Sequence, residues 1–359
     1  MKQKIKVGII FGGRSGEHEV SLASAWSIMQ AIDKKKYQIV QIGITKQGEW
    51  LTGPQTMPKL KNNAVLKKDL TTVLVPDAIH QPTKIDVAFP ILHGPYGEDG
   101  TIQGLLELAN MPYVGSGVLG SAMAMDKVVQ KKICQQAQLP VVKYLYFYKI
   151  NFRKDYKNIS LRVNKLGYPV FVKPANMGSS VGISKVQNKK MLIQAVTLAS
   201  KYDNKVIVEK SIANAEEIEV AVLGNRRVLA SVPGAIISSN EFYDYNAKYV
   251  DGQSFDKIPA QLPKPILNKL KKIAVNAFLA VNGSGMARVD FLVSSKHKIY
   301  LNEINTIPGF TSISMYPKLW RASGVSMTQL ISRLIDLAFD RYNEKAQLKT
   351  SLKLKKKWY

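Results

Sequence analysis

In the segment ARVDFLVSSKHKIYLNEIN, residues 287–305, three side chains carry oxygen in a pattern suited to chemistry: Asp290, Glu303 and Asn305. The segment predicts two strands joined by a polar turn around Ser295 to His297. Side chains alternate along a strand, so Arg288 and Asp290 share one face and Glu303 and Asn305 share another. Folding the hairpin about its turn sets Asp290 roughly opposite Glu303. Oxygen donors without sulfur or imidazole form a hard-cation set, suited to magnesium bridging substrate phosphates. Arg288 beside them is what a phosphoryl-transfer site needs. The competing reading is a solvated acidic face on an edge hairpin. The apolar flanks Val289, Phe291, Leu301 and Ile304, together with Arg288 among the acids, weigh against it.

A second set follows a strand-like run in FVKPANMGSSVGI, residues 171–183. Lys173 ends the strand and Pro174 bars helix continuation. Gly178, Ser179, Ser180 and Gly182 then offer amides and hydroxyls that can close over a phosphate. Lys127, in AMDK, is a second candidate cation for phosphate. In a chain this rich in lysine, each is weighed against a plain surface role. In KVIVEKSI, Glu209, Lys210 and Ile212 mark a strand end where backbone groups can read the adenine edge and a carboxylate can accept from its amino group. Glu217, at the start of the next strand, is placed to hold ribose hydroxyls.

The stretch FGGRSGEHEVSL, residues 11–22, looks half like a phosphate cradle. Its glycines permit close backbone approach. Yet Glu17 stands where the positive end of a helix would otherwise welcome a phosphate. The loop is better suited to a ligand's positive charge, such as an ammonium. A formal GxGxxG also occurs at Gly115, Gly117 and Gly120. Its preceding strand is short and broken by Pro112, and no acid stands about twenty positions on, as a dinucleotide site requires. A connecting turn is the better reading. No GxxxxGK[ST] is present, which excludes a P-loop.

These residues need particular elements to hold them. Residues 1–121 read as alternating strands and helices, KIKVGIIF, YQIVQIGI and IDVAFPIL being the strands. Leu22, Ala25, Met29 and Ile32 make one helical stripe. That pattern predicts a parallel α/β sheet, with FGGRSGE and HGPYGEDG at its ligand-bearing strand ends. Residues 122–213 form a second unit: one helix over SAMAMDKVVQKKICQQAQ, aromatic strands after Pro140, and two strands flanking the glycine loop and a helix. Residues 214–359 are strand-rich (EIEVAVLG, RRVLASVPG, ARVDFLV, KIYLNEIN) and close with a helix whose core stripe is Leu330, Leu334, Leu337 and Ala338. The fold class expected is thus α/β in the first unit and α+β in the two that follow. SSNEFYDYNAKYVDGQS, residues 238–254, has the polar, aromatic, aperiodic character of a lid.

Composition sets outer limits. With 359 residues the chain exceeds one ordinary core. It has 51 Lys plus Arg against 26 Asp plus Glu, a net charge of +25. That balance favours anionic substrates. The lysines are scattered, without zinc-finger spacing or an RNP motif, so no specific nucleic acid is expected. No apolar run reaches membrane-spanning length, and no signal-peptide core opens the chain. Cys134 is the only cysteine. A cytoplasmic, membrane-free protein is the expectation.

Taken in order, FGGRSGEHEVS, HGPYGEDGTIQG, MDK, VKPANMGSSVGISK, EIEVAVLG, FYDYNAKY, ARVDFLV and NEINTIPGFTSISMYPKLW resemble the D-alanine–D-alanine ligase family of the ATP-grasp superfamily over nearly the whole chain. The resemblance implies an N-terminal α/β domain followed by a two-lobed ATP-grasp fold. It implies ATP and two magnesium or manganese ions as cofactors, two D-alanines as substrates, and a homodimer. The first D-alanine would be phosphorylated on its carboxylate, and the amine of the second would attack the acyl phosphate.

Carried over residue by residue, Glu17 would meet the first ammonium, and Ser179 and Tyr249 would join it in a set that locks the lid. His93 would line that side. Lys127, Lys173 and Lys248 would contact phosphates, beside Ser180. Glu209, Lys210, Ile212 and Glu217 would hold adenine and ribose. Asp290, Glu303 and Asn305 would bind the metals. Arg288 and the Gly309 amide would stabilise the oxyanion, and Ser314 and Met315 would receive the second carboxylate. Tyr249 matches dipeptide-forming members, where some D-lactate-using relatives carry phenylalanine. Asn176-Met177 departs from the commoner pattern.

Overall fold

The computed structural model describes residues 3–61, 71–72, 85–237 and 255–349. Lys248, Tyr249 and the expected lid at 238–254 lie outside the described residues.

The first sheet holds β1 (Ile5–Gly12), β2 (Tyr37–Ile44), β3 (Trp50–Thr52), β4 (Thr71–Thr72) and β5 (Val87–Pro90), in the order β4-β3-β2-β1-β5. β1 pairs in parallel with β2 and with β5, as expected. β3 and β4 extend the sheet antiparallel. This departs from a purely parallel sheet, because the turn between β2 and β3 is far too short for a parallel crossover. The helix His18–Ala31 buries Leu22, Ala25 and Met29 against Val7, Ile9 and Phe11 of β1. Leu330, Leu334 and Ala338 of the last helix, Met327–Ala346, join that same apolar cluster, while Leu337 is only partly buried. The C-terminal helix therefore seals the first sheet. Each fully buried leucine there contributes about 1.5–3 kcal/mol.

The second sheet is antiparallel, ordered β6 (Tyr144–Tyr148), β9 (Lys205–Lys210), β7 (Val170–Pro174), β8 (Ser184–Val186). The glycine loop, residues 175–183, joins β7 to β8. The third is built on β10 (Glu216–Gly224), flanked by β12 (Gly234–Ile237) and β14 (Gly285–Val293). β11 (Leu229–Ala230), β13 (Phe255–Lys257) and β15 (Ile299–Asn305) complete it.

Several expectations change. The single helix over 121–138 is two, Val118–Met125 and Lys127–Gln136, because Asp126 is extended and caps the second by accepting from the Val128 and Val129 amides. The strand read through RRVLASVPG is cut short at Ala230, and Pro233 lies between β11 and β12. Helices Lys149–Lys154 and Tyr156–Leu166 stand within the stretch expected to be aromatic strands. Lys264–Ala280 is a helix in a region read as strand-rich. It buries Leu270, Ile273, Ala274, Ala277 and Phe278, an i, i+3, i+4, i+7, i+8 stripe visible in the sequence.

The GxGxxG glycines serve packing. A Cβ on Gly120 would lie 2.5 Å from the Asn282 carbonyl oxygen, and one on Gly285 of β14 would lie 3.1 Å from Gly115. The turn thus presses against the third sheet.

Candidate active site

β14 and β15 pair in the predicted register, with Asp290 opposite Glu303 and Arg288 opposite Asn305. A register shift follows Asp290. Ser294 and His297 close the turn, the His297 amide donating to the Ser294 carbonyl at 2.7 Å. Arg288 donates to both Asp290 oxygens, Nε to Oδ1 at 2.8 Å and an Nη to Oδ2 at 2.7 Å. It also lies 3.0 Å from Glu219 of β10. Burial opposes the guanidinium charge, but Asp290 and Glu219 outweigh it and hold Arg288 firmly protonated. Asn305 Nδ2 donates to Asp290 Oδ2 at 3.0 Å, which leaves its carbonyl oxygen to accept from elsewhere or ligate. Two carboxylates and an amide oxygen on facing strands fit a hard divalent cation. Among the described residues, no group of three or more His, Cys, Asp or Glu is placed to hold a metal ion.

The glycine loop and this hairpin line the same cleft. Lys173, at the end of β7, is 2.7 Å from Glu209 Oε2 on β9. Lys127 opens its helix, donates to the Met177 carbonyl at 2.7 Å and lies 3.5 Å from Glu303. Met177 thus fixes a candidate phosphate cation through its backbone, and Asn176 is tied to Asp203. Ser179 and Ser180 adopt left-handed φ values of 47° and 59°. Lys127, Lys173, Ser180, Glu209, Lys210, Glu217, Asp290 and Glu303 line one cleft. Ile212 is outside that lining set. Lys210 aims its ammonium at the Gly167 and Tyr168 carbonyls, and its amide donates to the Lys143 carbonyl at 2.9 Å.

Beside this cleft is another, sharing with it Gly178, Ser179, Glu219 and Glu303. Glu17, His93, Arg288, Asn305, Gly309, Ser314 and Met315 line it. Glu17 precedes the helix His18–Ala31 but makes no capping bond with its side chain. Its carboxylate instead accepts from the Ser179 hydroxyl. A Cβ on Gly94 or on Gly178 would lie 2.6 Å from Glu17 Oε2 and push that carboxylate aside, and Gly94 also has a left-handed φ of 74°. At the far side, Ser314 Oγ accepts from the Thr311 amide at 3.0 Å and pairs with the Thr311 hydroxyl at 2.7 Å.

Sequence reasoning missed four groups here, Glu98, Ser24, Glu219 and Lys131; it named His93 but not its bonds. Glu98 accepts from the Gly94 amide at 2.9 Å and the Ile307 amide at 3.2 Å. Burial, then the Glu17 charge, pushes its carboxyl up to about 8. His93 donates from Nδ1 to the Ile307 carbonyl at 3.0 Å, and its Nε2 meets Ser24 Oγ at 3.0 Å. Ser24 Oγ in turn accepts from the Phe310 amide. Burial holds His93 below its ordinary range, so the neutral ring serves both contacts. Glu219 was readable as the period-two partner of Glu217 on a strand facing Asp290. Lys131 is completely buried and 2.8 Å from Glu209; its signal is the i, i+4 spacing from Lys127.

Two family models match this chain: "D-ala D-ala ligase C-terminus" over residues 133–336 and "D-ala D-ala ligase N-terminus" over 6–116. The chain belongs to the D-alanine–D-alanine ligase family. Among relatives of the family, the D-alanine–D-alanine ligase of Chloroherpeton thalassium is 51% identical over 95% of this chain and 98% of its own length. That of Natranaerobius thermophilus is 48% identical over 96% and 97%. The solved D-alanine–D-alanine ligase from Coxiella burnetii superposes with a TM-score of 0.82 at 35% identity, covering 96% of both chains. The VanG D-Ala:D-Ser ligase from Enterococcus faecalis gives 0.82 at 38%, covering 94% of this chain and 100% of that one. The family fold is the expected one, an N-terminal domain followed by an ATP-grasp fold. Among the described residues no helix is long and apolar enough to cross a membrane.

Proposed function

We infer that the two adjoining clefts take ATP and two amino acids, and that their shared wall is where a phosphoryl group changes hands. The chain is an ATP-dependent ligase that joins two D-alanines for peptidoglycan synthesis, through a D-alanyl phosphate and with release of ADP and phosphate. It uses a divalent metal. The observation carrying the site assignment is that Gly178, Ser179 and Glu303 line both clefts, so nucleotide phosphates and an amino-acid carboxylate would meet there.

Glu17 would receive the first ammonium, held in place by Ser179. His93 would line that side. Lys127 and Lys173, with the Ser180 loop, would bind the phosphates, and Glu209, Lys210, Ile212 and Glu217 the nucleoside. Asp290, Glu303 and Asn305 would hold two magnesium or manganese ions, which neutralise the repulsion between phosphate and carboxylate when bound. Arg288 and the Gly309 amide aim fixed positive charge at the oxygen that becomes negative when the second amine attacks. Ser314 and the Met315 backbone would take the second carboxylate. Lys248 and Tyr249 would close the site from the lid and keep water from the acyl phosphate. The boundaries at 121/122 and 213/214 would then separate the amino-acid domain from the two ATP-grasp lobes, in a cytoplasmic homodimer.

The test is product analysis with D-alanine alone and with D-serine or D-lactate added. D-alanyl-D-alanine should dominate at neutral pH. A predominance of the mixed product would reassign the second substrate.

A further inference from the structure

Lys131 has no place in the roles above, yet it is the most deeply buried charge at the site. It lies on the helix Lys127–Gln136, one turn beyond Lys127, with no exposed surface. Its ammonium is 2.8 Å from Glu209 Oε1 and donates to the Asn302 carbonyl of β15 at 3.0 Å. The other Glu209 oxygen is 2.7 Å from Lys173. Glu209 is itself 3% exposed and Lys173 9%. The three side chains thus form a row running from the interior to the cleft.

A charged row this deep costs desolvation, and packing alone would be served as well by methionine at 131. What methionine cannot supply is charge balance. Lys173 and Glu209 alone make a neutral pair that offers a polyphosphate little. With Lys131 the row carries a net single positive charge, presented at its outer end by Lys173. Burial works against the Lys131 ammonium and Glu209 offsets this only in part, whereas Glu209 is brought down to about 2 by its two lysines despite burial. The bond to Asn302 also ties the row to the metal-site hairpin.

We propose that Lys131 is a positioning residue for the nucleotide: it neutralises and orients Glu209 from behind, so that the charge of Lys173 is left for the phosphates. The proposal rests on reading the Lys173 cleft as the ATP site. Binding of ADP with Mg2+ to the full chain, followed by calorimetry, separates the two. If the unaltered protein does not bind MgADP, the site assignment itself is lost. If it binds, Lys131→Met should weaken MgADP and raise the KM for ATP by about tenfold or more, with kcat at saturating ATP and the KM for D-alanine changed by less than about threefold. Glu209→Gln removes the carboxylate that Lys131 balances, and its own cost at the adenine is measured separately. K131M/E209Q should therefore bind MgADP to within about threefold of Glu209→Gln alone. A purely structural role for Lys131 predicts the same loss in either background. Unchanged MgADP affinity in Lys131→Met, or a double variant about tenfold weaker than Glu209→Gln alone, overturns the proposal. Should Lys131→Met not fold, the comparison of the double variant with Glu209→Gln decides between these outcomes.

Discussion

Glu98 and Ile307 are 209 positions apart, and the carboxylate of one accepts the backbone amide of the other at 3.2 Å. His93 takes the carbonyl of the same residue, so the Ile307 peptide is gripped on both sides by the loop after β5. Two residues on is Gly309, whose amide we assign to the oxyanion. The loop after β5 and the segment that follows β15 are thereby tied together.

Glu98 also sets a pH dependence. Its folded value of about 8 is above the ordinary 4.5, so the protonated form is favoured by folding. That contribution is complete below about 4.5 and is lost as pH rises through about 8. In metal-free and nucleotide-free protein, Glu98→Gln removes the titration. The melting temperature of the variant minus that of the parent should therefore climb by a few degrees from pH 5 to pH 9. A difference that stays level across that range contradicts the assignment.

The hairpin donors are tested by Asp290→Asn. The amide keeps the shape but loses the charge a divalent ion needs, and it presents a donor to Arg288. Turnover should fall by about two to four orders of magnitude while the circular dichroism spectrum stays native. Near-normal turnover would mean that Asp290 serves only to hold Arg288.

Glu17→Gln addresses the amino-acid end. Losing the carboxylate should raise the KM for the first D-alanine by about tenfold or more and leave the KM for ATP nearly unchanged. The reverse pattern would return the FGGRSGE loop to the nucleotide.

Much of this site was legible in the sequence because strand periodicity is rigid. Asp290, Glu303, Arg288 and Asn305 could be set face to face from alternation alone, and the structure pairs them so. Glu17 could be read as unwelcoming to phosphate from its place before a helix. The groups that remained hidden, Glu98, Lys131, Ser24 and the second role of His93, act across long sequence separations. Ser24 meets the Phe310 amide 286 positions away, and no local pattern announces such a bond. The helix Lys264–Ala280 was a different failure: its apolar stripe was present and the neighbouring strands obscured it. Asp126 broke a helix through capping, a local effect that overrode an unbroken run of helix-forming residues.

The central claim is that this chain couples ATP cleavage to joining D-alanine with D-alanine. Phosphate release by the purified chain with ATP and magnesium measures it directly. D-alanine should produce phosphate and D-alanyl-D-alanine in equal amounts, and L-alanine should produce neither. No phosphate with D-alanine, or equal release with the L-enantiomer, would contradict the account.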